Sequence, residues 1–281
     1  MLVVACLAGG LAAAVVLWRA MAPILALEVF ERENYRGRKL PTAAGLVMVV
    51  AVIIVEAALT VLDALGADVD AASLEPRRLA VLAVLGFGLL GLLDDLGGMG
   101  QSGGFTGHLR ALRHGQLTTG ALKLFGGGAL SIVVVAAATT GRSTGRLIAD
   151  AALVALSANL ANLLDRAPGR VIKGGAAVFA VMAVATGAGP ELAGVAIAVG
   201  AACGLLVVDL RERCMLGDVG ANPLGAVLGV GVVVSCNPEV RLVVLAGVAA
   251  LNLLSEVVSF SSVIDRVPPL RFLDRLGRRS P

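Results

Sequence analysis

GLLGLLDDLGG, residues Gly88–Gly98, decides how the rest of the chain is read. Eleven residues hold five leucines and four glycines, and then two adjacent carboxylates, Asp94 and Asp95. In water such a pair would be an ordinary helix end. The composition points to another solvent. The 281 residues are 58% apolar and only 15% charged, whereas a globular domain carries nearer a quarter charged residues. The mean hydropathy is +0.91. Apolar runs of about 17 to 25 residues recur along the whole length, enough to cross a bilayer as helices, and they lack the alternation of barrel strands. The expectation is a single all-α, polytopic membrane domain over residues 1–263, followed by a basic tail, 264–281.

Nine spans are expected, at 2–20, 43–62, 79–96, 121–140, 147–164, 174–189, 191–208, 220–236 and 241–263. The first has no basic stretch before its apolar run, so it reads as a retained helix rather than a cleaved signal. The four cysteines, Cys6, Cys203, Cys214 and Cys236, show no metal-binding or redox spacing and read as small core residues. Nothing in the chain suggests a nucleic-acid surface. If the N-terminus faces out, the segments 28–40, 97–120, 165–173, 209–218 and 264–281, with Lys123 beside the second, carry seventeen of the 23 Lys and Arg. Five lie on the opposite face. Positively charged loops stay cytoplasmic, so the C-terminus is expected inside the cell and the protein in the cell membrane.

That orientation places four polar sequences on one face: GRKLPTAAG (Gly37–Gly45), LLDD (Leu92–Asp95), NLANLLD (Asn159–Asp165) and LGDVGANPLG (Leu216–Gly225). A charge inside a span costs about 2.5–3.5 kcal/mol, so such groups normally face a wet, functional interior. Asn159, Asn162 and Asp165 recur every three residues and share a helical face able to hold a cation or a sugar phosphate. Asp218 opens a helix, where a carboxylate suits Mg²⁺ and free N–H groups suit phosphate. Oxygen donors without a His/Cys cluster argue for a hard metal and against zinc. All three lysines, Lys39, Lys123 and Lys173, fall near these sequences and are candidate phosphate partners, as are Arg166 and Arg170. A secondary transporter would need acids at mid-membrane, for which Glu56 and Glu256 are the candidates.

At these residues, from about Arg36 to Phe260, the sequence resembles the polyprenyl-phosphate N-acetylhexosamine-1-phosphate transferase superfamily. GRKLPTAAG is similar to its lysine-plus-PT-x-GG loop, and GLLDD to its aspartate pair. NLANLLD is similar to N-x-x-N-x-x-D, and LGDVGANPLGAVLG to MGD-x-G-S-x-x-LG, all in the superfamily's order. The resemblance implies transfer of a sugar-1-phosphate from a UDP-sugar to a polyprenyl phosphate in cell-envelope glycan synthesis, releasing UMP. It implies Mg²⁺ (or Mn²⁺) held by Asp218 and Asn162, with Asp94 and Asp95 orienting or deprotonating the lipid phosphate. Lys39 and Lys123 would hold phosphate oxygens, with Asn159, Asp165, Arg166, Arg170 and Lys173 nearby on the substrates. A homodimer is compatible with it. Three features depart from the pattern. Asp165 is followed by RAPGR, so Pro168 stands where a second aspartate is usual, and Ala221 replaces a serine. No histidine-rich loop precedes the tail, the only histidines being His108 and His114. Two readings stay open on the sequence: an active transferase, or an inactive member that binds lipid phosphate or serves as a partner subunit. The five arginines within Ile264–Pro281 would meet either a phosphate or anionic headgroups.

Overall fold

Long apolar runs satisfy their backbone N–H and C=O groups internally only as helices, and that rule shapes this chain. In the computed structural model, residues 1–34, 36–67, 69–97, 119–138 and 143–279 are described. The helices are α1 (Leu2–Leu25), α2 (Gly45–Ala64), α3 (Leu74–Gly97), α4 (Thr119–Ala138), α5 (Thr144–Leu164) and α6 (Arg170–Thr186), then α7 (Ala193–Leu210), α8 (Asp218–Ser235), α9 (Pro238–Ser255), α10 (Phe260–Arg266) and α11 (Pro268–Arg275). Local signals set several starts. The Ser143 hydroxyl accepts the Arg146 N–H at the head of α5, and Asn237 caps α9 by accepting from Val240 at 2.9 Å, with Pro238 at the first helical position.

Nine helices, α1 to α9, occupy the nine expected positions, and the chain is a polytopic membrane protein. Seven of them are long and apolar enough to cross a bilayer. The count of nine therefore needs correction for α4, whose apolar stretch is Leu122–Ala138, and for α6, a 17-residue helix that begins with Arg170 and Lys173. The last expected span also ends early. Its helix stops at Ser255, and α10 and α11 follow as separate short helices. Among the described residues, one two-stranded ribbon interrupts the all-α reading: β1 (Glu31–Glu33) and β2 (Lys39–Pro41) pair antiparallel, with Glu33 opposite Lys39. Three-residue strands are too short for periodicity to reveal.

Helix α8 is the axis. It packs on α3 and α5 above all, and also on α2, α6 and α7. Every residue from Val219 to Val233 is buried. Most of these are Gly, Ala and Val, so neighbouring backbones approach closely without leaving voids. Helix α1 lies along α7, and α9 packs on the outside of α5 with no buried residue of its own. Glu56 of α2, one of the two acids a transporter would use, forms a 3.0 Å ion pair with the buried Arg77 of α3. The other, Glu256, merely follows α9.

The tail is docked rather than trailing. Asp274 of α11 is buried and accepts from Arg170 Nε at 2.8 Å and Nη2 at 3.1 Å, with Arg278 2.5 Å away. Lys173 donates to the carbonyls of Leu273, Asp274 and Leu276, which closes the C-terminal end of α11. Burial works to raise the Asp274 carboxyl, but the hydrogen bonds and charge of Arg170, then of Arg278, outweigh it and hold the group below the usual carboxylate range. A depressed folded value means the docking energy is complete above about pH 4 and fades as pH falls through that lower value. Asp274→Asn should cost about 3 kcal/mol by leaving Arg170 without its anion, or roughly a hundredfold more frequent opening. Hydrogen exchange of α11 at neutral pH measures it, and unchanged exchange would refute the docking role.

Candidate functional site

Two short loops are knitted together first. The Met215 N–H donates to the Pro41 carbonyl at 2.7 Å, Ala44 N–H to Met215 O at 3.2 Å, and Gly45 N–H to Leu216 O at 2.8 Å. The PTAAG and LGDVG sequences are thus one piece of backbone structure. Gly217, at φ +73°, makes the turn into α8, and a Cβ there would lie 2.1 Å from the Thr42 carbonyl oxygen. Only glycine combines that φ with that approach.

Helix α3 then delivers the aspartate pair against the start of α8. The two oxygens of Asp95 accept the backbone N–H groups of Asp218 and Val219, each at 3.1 Å. Asp95 therefore caps α8 from another helix, satisfying donors that lack an intrahelical partner and complementing the positive end of the dipole. Such contact demands a bare backbone on α3. Gly91 supplies it, since a Cβ there would lie 2.3 Å from the Asp218 carbonyl oxygen. Arg32 of β1 donates to the Asp95 carbonyl at 2.8 Å and ties the ribbon to the end of α3.

Lys123 of α4 bridges the remaining carboxylates. Its ammonium donates to Asp94 Oδ2 at 2.8 Å and forms a tight ion pair with Asp218 Oδ2. All three side chains are about a quarter exposed, so the triad is reachable from outside. Beside it opens a cavity of about 390 Å³, whose walls include Thr42, Asp95, Asp165, Arg166, Gly217 and Asp218. Residues from all four polar sequences thus end at one place.

The other candidates are distributed as follows. Asn162 donates to the Asn222 amide oxygen of α8 at 2.9 Å, one turn along from Asp218. Asp165 follows the last turn of α5 and lines the cavity. Burial first, then the charges of Asp209, Asp218 and Asp95, hold its carboxyl well above the usual range and favour its protonated form. Asn159 instead donates to Asn252 of α9 at 2.7 Å, and Lys173 is engaged by α11. Lys39 is exposed on β2 and does not line the cavity. Arg166 lines it, whereas Arg170 faces the docked tail. His108 and His114 lie outside the described residues.

Sequence reading missed part of the wall: Glu33, Asn34, Asp209, Glu212 and Cys214. Asp209 accepts the Gly169 N–H at 2.7 Å and so fixes the start of α6. Glu212 is almost wholly buried, has φ +51°, and meets Arg36 and Arg38 at 3.4 Å each. These two acids stand three residues apart just before LGDVG, a spacing that could have drawn attention to them. Burial, aided by Asp209 and Asp165, pushes the Cys214 thiol well up, so it is no thiolate nucleophile.

The donor chemistry fits a hard divalent cation. Asp94 and Asp218 bring carboxylates and Asn162 an amide, against the Lys123 ammonium, while Asp95 is spent on the start of α8 and Asp165 is held toward its protonated form. Among the described residues, no three His, Cys, Asp or Glu side chains are arranged as a ready metal cage.

No protein-family model matches the chain. Over 254 aligned residues it is 29% identical to a phospho-N-acetylmuramoyl-pentapeptide-transferase of Desulforamulus reducens, covering 81% of this chain and 70% of that protein. That span takes in most of the helical bundle that gathers the aspartates. The chain is a distant homologue of this transferase.

Proposed function

We propose that the protein transfers a sugar-1-phosphate, of N-acetylhexosamine type, from a UDP-sugar to a polyprenyl phosphate at the cytoplasmic face of the cell membrane. The observation that carries the reading is the convergence of four separate polar sequences on one cavity beside the Asp94–Lys123–Asp218 triad. The distant transferase relative supports the same reaction class, and the distribution of Lys and Arg supports the orientation.

In the reaction, an oxygen of the lipid phosphate bonds to the β-phosphorus of the donor. The bond from that phosphorus to the bridging oxygen breaks, and its electron pair leaves on UMP. Lys123 turns from its carboxylates to a phosphate oxygen and offsets the charge of the two approaching anions. Lys39, on the ribbon whose Leu40 lines the cavity, and Arg166 would hold further phosphate oxygens. Asp94 would take the proton of a monoprotonated lipid phosphate. Asp95 is a positioning residue, because both its oxygens are spent on the start of α8. Asp218 and Asn162 would hold Mg²⁺, which when bound neutralises the diphosphate and favours departure of UMP.

The test is UMP release by purified protein given Mg²⁺, a polyprenyl phosphate and a panel of UDP-sugars. We expect release with at least one UDP-amino sugar, reduced about 10²- to 10³-fold in Asp218→Asn. No UMP from any donor overturns the transferase. A second reading, an inactive lipid-phosphate-binding subunit, draws on the Lys123 ammonium filling the space between Asp94 and Asp218. It predicts lipid binding without UMP release.

A further inference from the structure

A second cavity adjoins the first, and its charge is opposite. It measures about 620 Å³ and shares Arg166 and Ala167 with the acidic cavity as a common wall. Six arginines line it: Arg36, Arg166, Arg170, Arg275, Arg278 and Arg279, against two acids, Asp265 and Asp274. The acids are already committed. Asp274 lies between Arg170 and Arg278, and Asp265 pairs with Arg275 at 3.1 Å. Arg36 faces Glu212 from the ribbon side. Arg166 and Arg279 have no ion pair among the described residues. The lining therefore keeps an excess of positive charge, and guanidinium forks grip phosphate oxygens two at a time. Its volume lies within the ordinary range of small-molecule sites, about 300–1,000 Å³.

The elements that build it come from distant parts of the chain: the loop before α6, the β1–β2 ribbon, and the α10–α11 arm. Self-repelling arginines are not brought together by packing alone. Here the arm is held in place by Asp274 and by Lys173, and that docking carries Arg275, Arg278 and Arg279 to the rim. Clustered like charge within low-dielectric walls focuses the field on a counter-ion.

We infer that this arginine cavity, closed by the docked C-terminal arm, is a second anion site for a phosphate-bearing polyanion, separate from the carboxylate cavity beside it. The ligand chemistry is a pair of linked or adjacent phosphates, drawn from a soluble diphosphate or from lipid headgroups. The inference stands apart from the transfer reaction, because it concerns binding without acceptor lipid or metal.

The experiment is isothermal titration of inorganic pyrophosphate, with chelator present, into the full-length protein in nanodiscs of zwitterionic lipid. Saturable binding is expected, weakened roughly tenfold or more in Arg166→Gln/Arg279→Gln, whose side chains have no ion pair to lose among the described residues. It should persist in Lys123→Met, which separates this cavity from the triad. Repeating the titration in nanodiscs containing phosphatidylglycerol assigns the source. Competition identifies headgroups, and its absence identifies a soluble diphosphate, and either outcome supports the site. No saturable binding in zwitterionic discs overturns the inference, as does binding that survives the double arginine change or disappears with Lys123. Correct folding of the double variant is checked by unchanged hydrogen exchange in α8.

Discussion

Lys123→Met is expected to lower the transfer rate by about two to three orders of magnitude, and to destabilise the bundle as well. The ammonium is the only cation within hydrogen-bonding reach of both Asp94 and Asp218 among the described residues. Removing it leaves two carboxylates facing each other at the junction of α3 and α8. Losing two charge-assisted hydrogen bonds in a partly exposed place costs about 1–3 kcal/mol. The two effects separate in a double variant. Lys123→Met/Asp94→Asn removes the repulsion, so thermal stability should return toward the parent while UMP release stays low. If release returns together with stability, neither Lys123 nor Asp94 acts in the reaction.

Gly91→Ala should be nearly as severe, for a purely steric reason. The added Cβ would sit 2.3 Å from the Asp218 carbonyl oxygen and 2.6 Å from the Val219 nitrogen. Neither atom belongs to a flexible side chain that can swing away. Helix α3 must therefore back off from α8, at about 1–3 kcal/mol for overpacking. The larger effect falls on geometry, since Asp95 loses its grip on the first turn of α8 and Asp218 shifts relative to Asp94 and Lys123. Displacement of about an ångström at a reacting centre can cost a hundredfold in rate. Gly128→Ala, on α4 where nothing lies within 4 Å of the added carbon, is the control and should keep full activity. Equal activity in the two variants would show that the contact between α3 and α8 does not set the site.

Much of this arrangement was legible in the sequence, and the physical reason is specific. Apolar runs must be helical in lipid, so α1 to α9 follow from hydropathy alone. The charge of the loops sorts the polar sequences onto one side, and Asp94, Asp95, Asp165 and Asp218 do meet. What hydropathy does not encode is which helix faces protein. Helices α8 and α9 have nearly equal hydropathy, yet one is buried along its length and the other has no buried residue. A lipid tail and a protein interior are equally apolar, so the composition of a span is indifferent between them. Nor does spacing reveal pairing across the chain. Asn159, Asn162 and Asp165 share a helical face, but Asn159 meets Asn252 and Lys173 meets α11. The choice of partner depends on helix rotation and on a tail docked through Asp274 and Lys173.

The wholly enclosed α8 has a consequence for how this chain can change over generations. Helix α9 packs chiefly on α5, so over the rest of its surface one apolar residue serves as well as another. Helix α8 answers to several protein neighbours at once, so a substitution that suits one wall collides with the next. Its alphabet of Gly, Ala and Val is thereby frozen by its surroundings. Divergence in what the protein handles should then accumulate in the ribbon, in the loop after Asp165 and in the C-terminal arm, which can vary while the axis beneath them stays fixed.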